Sequence, residues 1–402
     1  MEKILLSKLL SHHELLRSIP AASEHDAVKL RGLSCSITGA LYTSHETAIA
    51  DNLAELIEKF KGQQPTFDII HDSDQDGNAA AYIMKHFLDV DCSITPKLYE
   101  IGHGPSFKSN VLKMVKSGEL YGQVVFVLDQ SFNAEIYDYL SISYKHVVWI
   151  DHHILTSEND IKVQPEHDIF VINPTFSAAG WVHRIVSSIR GRYCDPRERY
   201  VLETVAYLTH FHDTWQYGKG DGPLHEHVST QARQFAAWFD LEIKSRKMLE
   251  ALIYTSTDTT ESMKMFSSIC QMGEAIICSR KMIHSRILKE FIQFFEWNLD
   301  GVVYKIAAVM HSDARSVLCE EILKSYKDIG VNTAMVVFYS TRDQKMRVSV
   351  RGTDDGPPVN PICEHLGGAG HRNSAGFGVP PEVIGGYLQD RVFKSVKEEN
   401  NG

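Results

Sequence analysis

The chain has 402 residues, of which 43% are hydrophobic and 23% charged, a balance that suits two or three soluble domains with a sizeable core. Its net charge of −10 excludes broad, sequence-independent binding to duplex DNA, which needs a basic face. The seven cysteines form no C-x-x-C pair, which excludes a zinc knuckle and suits a reducing cytoplasm, and no apolar run reaches the length of a membrane span.

Residues 1–65 read as a helical N-terminal extension. Leu5, Leu6, Leu9, Leu10, Leu15 and Leu16 recur at helical spacing, and Ala48 to Phe60 forms a second amphipathic run. A packing or oligomerisation role is expected here, which leaves a homodimer open.

From residue 66 the pattern alternates strand and helix. Strands are expected at 67–71, 93–98, 123–128, 147–150 and 169–172, and helices at 77–88, 107–116, 134–143 and 177–190. Short apolar strands between helices predict an α/β domain with a doubly wound, mostly parallel sheet over 66–256. The first strand runs into His71-Asp72-Ser73-Asp74-Gln75-Asp76-Gly77. Asp74 and Asp76 point the same way in extended geometry, and with His71 they offer hard ligands suited to Mn²⁺ or Mg²⁺. The same residues also read as a helix-capping turn. Two later strands deliver Asp129 and Asp151-His152-His153, and a run from Tyr207 to His212 leads to Asp213. Together these sequences place His71, Asp74, Asp76, Asp129, His152, His153 and Asp213 at the carboxyl edge of one sheet, where open α/β folds bind ligands. Like charges that close call for neutralisation, which a pair of divalent ions provides.

Residues 226–256 read as helical, and Phe266, Ile269, Ile276, Ile283, Ile287 and Phe294 extend a three-or-four spacing over 260–299, with Gly273 weakening the helix locally. This predicts a linker helix over 257–300. A smaller α/β domain follows over 301–396, with strands at 302–310, 332–340 and 345–351 and a helix near 314–326. Arg347 and Arg351 share a face of its third strand. Gly367-Gly368-Ala369-Gly370 gives a backbone able to approach a phosphate with free N–H groups, beside His371.

In this order the motifs resemble those of the DHH phosphoesterase superfamily, with an N-terminal DHH domain and a C-terminal DHHA1 domain. The namesake motif stands as Asp151-His152-His153. The run from Asp72 to Gly77 is similar to the D-x-D-x-D-G of RecJ-type exonucleases, Asp129 stands as the second motif and Asp213-Thr214 as the fourth. Gly367 to Phe377 is similar to the glycine-rich DHHA1 hallmark. One departure concerns His71, which stands three residues before Asp74 where many small members have four, so that either His71 or Asp72 is the ligand.

The resemblance implies two ions, Mn²⁺ with Mg²⁺ or Co²⁺ as alternatives. One is held by Asp74, Asp129 and either His71 or Asp72, the other by Asp76, Asp129, His152 and Asp213. It further implies that His153 contacts phosphate or protonates the leaving oxygen and that Asp151 orients the histidines. Arg351, Gly368, Gly370 and His371 would hold the rest of the substrate. The expected activity is a metal-dependent phosphodiesterase acting on a short single-stranded oligonucleotide or small nucleotide, with no duplex DNA or membrane as partner. The alternatives are a RecJ-like exonuclease on longer single strands, an exopolyphosphatase or pyrophosphatase, and a catalytically silent nucleotide-binding protein.

Overall fold

A computed structural model describes residues 44–382 apart from 64, 103–104, 132, 154–167, 191–195, 215, 218–222, 241–242, 256–258 and 342. The leucine-rich run expected to be helical near the N-terminus lies outside these residues. The chain divides into two units, Met1–Ile276 and Ile277–Gly402.

In the first unit, β1 (Phe67–His71), β2 (Lys97–Glu100), β3 (Gly122–Leu128), β4 (Tyr144–Asp151) and β5 (Ile169–Ile172) form a sheet in the order β2-β1-β3-β4-β5. Every pairing is parallel. Successive strand residues face opposite layers, as the pleat requires. Phe67, Ile69, Val124, Phe126, Leu128, Val148 and Ile150 join one core, while Ile70, Val125, Val127, Val147 and Trp149 join the other. The second layer is closed by α3 (Pro105–Lys116) and α4 (Ala134–Ser143). The first is covered by α1 (Ser44–Glu58), α2 (Gln75–His86), α5 (Ala178–Arg190), α6 (Pro196–Asp213), α7 (Pro223–Phe239) and α8 (Ile243–Thr255). Strands buried on both faces read as the near-continuous apolar runs seen in the sequence.

Two element boundaries differ from the sequence reading. The strand expected at 93–98 begins only at Lys97, because a π turn over Phe87–Asp91 prolongs α2 and Ile94 N–H ties back to the Leu88 carbonyl at 2.9 Å. The helix expected over 226–256 is two helices, α7 and α8. The α1 helix packs into the first unit: Ile49, Leu53, Leu56 and Ile57 join the same core as the sheet. Glu46 forms a bidentate pair with Arg184 of α5, at 2.8 and 3.1 Å, with both side chains under 8% exposed. Glu46→Ala strands a buried guanidinium, and a urea titration should show a loss of about 3–5 kcal/mol; a loss within about 0.5 kcal/mol, typical of a surface site, would mean α1 is dispensable to the unit.

The long helix α9 (Thr259–Glu290) starts in the first unit, where Phe266 and Ile269 are core. At Gly273 a Cβ would lie 1.9 Å from the Gln234 carbonyl oxygen of α7, so this glycine permits close helix packing. The helix ends at Glu290, short of the 299 that the sequence periodicity suggests. Residues Gln293–Leu299 form β6 instead, since Phe295, Trp297 and Leu299 alternate with polar residues at period two. Asp300 and Gly301, at φ 53° and 84°, make the two-residue turn into β7 (Val302–Met310), the turn chemistry that Asp-Gly favours.

The second unit holds a mixed sheet in the order β10-β11-β9-β8-β7-β6. Its further strands are β8 (Thr333–Ser340), β9 (Lys345–Gly352), β10 (Ala369–His371) and β11 (Ser374–Val379), and its helices α10 (Arg315–Ser325) and α11 (Asn360–His365). The α10 crossover makes β7 and β8 its parallel pair; the others are antiparallel. Leu318, Cys319 and Ile322 of α10 cover one face, and Val359, Ile362 and Cys363 cover the other.

Candidate metal centre

The strand order reverses between β1 and β3, and the carboxyl ends beside such a switch point form the crevice of an open α/β sheet. Asp72, Asp74 and Asp76 follow β1, Asp129 follows β3, and Asp151-His152-His153 ends β4. Parallel pairing sets His71 beside Leu128 and Leu128 beside Ile150, so the three motifs emerge side by side.

The turn after β1 is locally over-determined. Asp74 is the N-cap of α2, and its Oδ1 accepts the Gly77 N–H at 2.9 Å. Asn78 Nδ2 donates to the Asp74 carbonyl at 2.8 Å. A Cβ on Gly77 would sit 2.5 Å from the Asp72 carbonyl oxygen, so glycine lets the helix start against the strand end. Gly77→Ala should cost about 1–3 kcal/mol through overpacking and should reduce the rise in melting temperature that Mn²⁺ produces. An unchanged metal response would show that the turn tolerates displacement.

Asp129 holds φ 57°, a left-handed conformation that Asp and Asn tolerate better than other side chains. This backbone, with its N–H donating to the Ile150 carbonyl at 3.0 Å, turns a 1% exposed carboxylate into the crevice. Neither Oδ1 nor Oδ2 of Asp129 has a hydrogen-bond partner, nor does Oδ2 of Asp213. His152 Nε2 lies 3.3 Å from Asp129 Oδ1, 3.2 Å from Asp213 Oδ2 and 3.8 Å from Asp76 Oδ2. The potential ligand atoms form three overlapping groups, each within 4.8 Å: Asp72, Asp74 and Asp129; Asp129, His152 and His153; Asp76, His152 and Asp213.

The electrostatics match. Burial, then the charges of Asp74, Asp76 and Asp213, raises the Asp129 pKa well above the carboxylate range. Burial, then Asp76 and Asp74, does the same to Asp213. Burial and Asp74 push Asp76 up to about 7, against the pull of its hydrogen bonds. Buried acceptors without donors are costly, and hard oxygens with one imidazole fit Mn²⁺ or Mg²⁺. The residues present therefore suit divalent ions.

Asp76 and Asp151 also have partners of their own. Both oxygens of Asp76 accept backbone N–H groups from the start of α5, Ala178 at 2.7 Å and Ala179 at 2.9 Å. The helix N-terminus thus orients this carboxylate and favours its charged form. Asp151 Oδ1 accepts from His153 Nδ1 at 2.6 Å, which raises the His153 pKa although burial opposes it. His71 is in none of the three groups. Its Nδ1–H donates to the Asp72 carbonyl at 2.7 Å, and burial pushes its pKa to about 4, leaving it neutral. Of the two alternatives left by the sequence, the structure groups Asp72 with Asp74 and Asp129.

Sequence reasoning missed the Ser177-Ala178-Ala179 turn and His210, whose Nδ1 accepts the Ser177 N–H at 3.1 Å. Ser177 ahead of an apolar run is a capping signal, but nothing local shows that the helix start faces Asp76. Arg246 was also missed: it donates to Glu100 at 2.5 and 2.6 Å and to the Ser73 carbonyl at 3.0 Å, clamping the acidic turn.

In the second unit, two of the N–H groups that the sequence reading left free in the glycine run have partners. Gly367 N–H donates to the Glu364 carbonyl at 3.0 Å and Gly368 N–H to the Cys363 carbonyl at 2.7 Å, closing the end of α11. Added Cβ atoms on Gly368 and Gly370 would lie 2.2 Å from the Gly376 carbonyl oxygen and 2.3 Å from Ala375 Cα. These glycines serve close strand packing. His371 pairs with Ser374 through its backbone; its side chain lies outside the described residues. Arg351 Nη2 donates to Ser316 Oγ at 2.8 Å and Nη1 to the Val350 carbonyl at 3.1 Å, fixing it against the start of α10.

Residues 300–394 match the DHHA1 domain family. No curated protein sequence matches the chain. Among solved structures it is similar to a DHH domain described as belonging to a family of ribosomal proteins, with 14% identity and a TM-score of 0.55 over 98% of this chain and 100% of that one. It is also similar to RecJ from Thermus thermophilus in complex with Mn²⁺, with 12% identity, a TM-score of 0.52 and coverage of 87% of this chain and 54% of that one. CDC45 from Entamoeba histolytica aligns with 8% identity and a TM-score of 0.52, covering 86% of this chain and 98% of that one. At these identities the likeness is one of fold.

Proposed function

For a chain with the fold of the DHH phosphoesterase superfamily and a C-terminal DHHA1 domain, we propose that the centre between β1, β3 and β4 hydrolyses phosphodiesters in short oligonucleotides or small nucleotides. The observation that carries this is Asp129, a buried carboxylate with neither oxygen hydrogen-bonded, shared by two of the ligand groups. Asp72, Asp74 and Asp129 would hold one divalent ion and Asp76, Asp129, His152 and Asp213 the other. The RecJ neighbour binds Mn²⁺, which supports Mn²⁺ as the first ion to test. When bound, the ions would supply Lewis-acid polarisation of the phosphoryl oxygens and a water acidic enough to attack phosphorus at neutral pH.

The protein's own groups orient and move protons. Ala178 and Ala179 N–H hold Asp76 so that it does not swing toward the substrate. Asp151 fixes the His153 tautomer with the proton on Nδ1 and stabilises the imidazolium. A protonated His153 can then give a proton to the leaving oxygen. In Asp151→Asn this stabilisation is lost and the His153 pKa falls. The alkaline limb of kcat against pH should move to lower pH; a profile identical to the native one would remove Asp151 from this role.

A silent nucleotide-binding protein on this fold is disfavoured because the acidic groups remain clustered with His152. The direct test is Mn²⁺-dependent hydrolysis of a 5′-phosphorylated dinucleotide, a ~5-mer, a ~30-mer and polyphosphate, sizes that separate short clefts from extended grooves. Release of mononucleotides from the shortest substrates supports the proposal. Preference for the ~30-mer or for polyphosphate moves the assignment to those substrates, and Mn²⁺ binding without any turnover favours the silent reading.

A further inference from the structure

The second unit carries a groove that the metal centre does not use. The C-terminal half of α9 and the α10 helix lie on one face of the second sheet, where Ile287, Leu318 and Ile322 share a core. Between the two helices runs a groove of about 580 Å³. Lys281, Ser285 and Lys289 of α9 form one wall, and Lys324 and Ser325 of α10 the other. Leu288, Ile292 and Phe294 line its floor and pack on the same core.

Neighbouring charges are already paired. His284 holds Glu321 at 2.7 Å, Arg280 holds Asp313 at 2.9 Å and Arg286 holds Glu290 at 3.0 Å. Lys281, Lys289 and Lys324 are exposed and make no ion pair with a described residue. Lys289 and Lys324 stand in the last turns of their helices, where a cation also offsets the helix C-terminus. Lys281 stands two turns earlier, beyond the range of that effect, yet on the same wall. The result is a cationic rim over an apolar floor, on a chain whose net charge is −10.

Such a groove fits a ligand that is both acidic and apolar. Lys281 and Lys289 are separated by two helical turns, roughly 12 Å. A helix lying along the groove presents carboxylates at that interval when they are about seven or eight residues apart. Aliphatic or aromatic side chains between them would cover Leu288, Ile292 and Phe294, the way an amphipathic helix fills a groove. A free phosphate would leave the apolar floor wet. A single nucleic-acid strand would need open ring faces for its bases. Phe294 instead packs edge-to-face with Tyr326 at 4.8 Å, and the Tyr326 hydroxyl donates to the Leu288 carbonyl.

We propose that the groove between α9 and α10 docks an acidic amphipathic helix of a partner protein. The proposal is independent of the metal centre and of the phosphodiesterase reading.

The test follows fluorescence anisotropy of labelled, stapled helical peptides titrated with the full chain. Each peptide carries two glutamates, set about three, four, seven or eight residues apart around leucine and phenylalanine, and each has a glutamine copy. The wider spacings should bind about tenfold more tightly than the narrower ones and than their glutamine copies, and salt should weaken them. Lys289→Glu combined with Lys324→Glu should abolish that preference. Ser285→Trp, which fills the groove without changing charge, should weaken every peptide. Both variants should keep the native melting temperature and the native rate of Mn²⁺-dependent hydrolysis. No peptide bound, glutamine copies bound equally, or unchanged affinity in the lysine variant would each overturn the proposal. Displacement of the peptide by a ~5-mer single strand would also overturn it, because the groove would then be a nucleic-acid surface. So would a loss of hydrolysis in the lysine variant at native melting temperature, which would make the groove part of the substrate path.

Discussion

Asp129→Asn should lower Mn²⁺-dependent hydrolysis by about 10³-fold or more, beyond the roughly 10–100-fold cost of losing a group that only supports a ligand. The same substitution should make the metal-free protein more stable. Asn fits the left-handed backbone at φ 57°, so the change alters charge and leaves the fold. It removes one of a set of crowded carboxylates whose mutual repulsion and burial raise the pKa of each. It also replaces one of the two Asp129 oxygens, neither of which is hydrogen-bonded, by an amide donor, in a site where Asp213 Oδ2 also lacks a hydrogen bond. Melting of both proteins in EDTA and in Mn²⁺ separates the effects. The variant should melt a few degrees higher without metal, in line with roughly 2–4 °C per kcal/mol for a domain of this size, and should gain little from Mn²⁺. A variant that melts lower in EDTA yet keeps the full Mn²⁺ response would show that Asp129 is neither a burden nor a ligand.

The metal-free protein should lose stability as pH rises from about 6.5, the ordinary histidine value, and Mn²⁺ should reverse that trend. Asp76, Asp129 and Asp213 all have folded pKa values above their unfolded ones, Asp76 at about 7. The folded state therefore binds more protons than the unfolded one. The stability these groups contribute is complete below the ordinary carboxylate range and is lost as pH climbs through the raised values. Histidines act the other way. His71, His210 and His212 are pushed down to about 4, so they add stability as pH rises toward the ordinary histidine range. The two trends oppose each other below about 6.5; above it the raised carboxylates, and His153, whose folded pKa is also raised, still lose the stability they contribute. Urea midpoints in EDTA should thus fall between about pH 6.5 and 8. Metal binding must displace the protons held by these carboxylates, so Mn²⁺ affinity should rise over the same interval with measurable proton release. Flat midpoints in EDTA together with pH-independent Mn²⁺ affinity would remove the coupled carboxylates from the argument.

These expectations rest partly on features legible in the sequence and partly on contacts that were not. Short apolar runs ending in Asp129 and in Asp151-His152-His153 specify parallel strands and their carboxyl-edge cargo, because strand identity depends on local period and on the acidic residue that follows. Period failed over 260–299, where Phe294 continues the helical spacing of α9 yet belongs to β6. A three-or-four spacing and a period of two coincide over a few residues, and the Asp300-Gly301 turn was the stronger local signal.

Local spacing was enough to specify the α/β alternation and the acidic and histidine residues that end its strands. Long-range packing was needed to group Asp72 rather than His71 with Asp129, and to bring the start of α5 to Asp76 across 102 and 103 residues of chain. It also seats α1 in the first unit through a pair 138 residues apart and sets Lys324 in one groove with Lys281 and Lys289. The physical reason is the same in each case. Local rules act over a few residues, within the reach of one turn or one pleat. Which carboxylate finds an N–H, an imidazole or only another carboxylate is set by how the buried faces of distant elements pack.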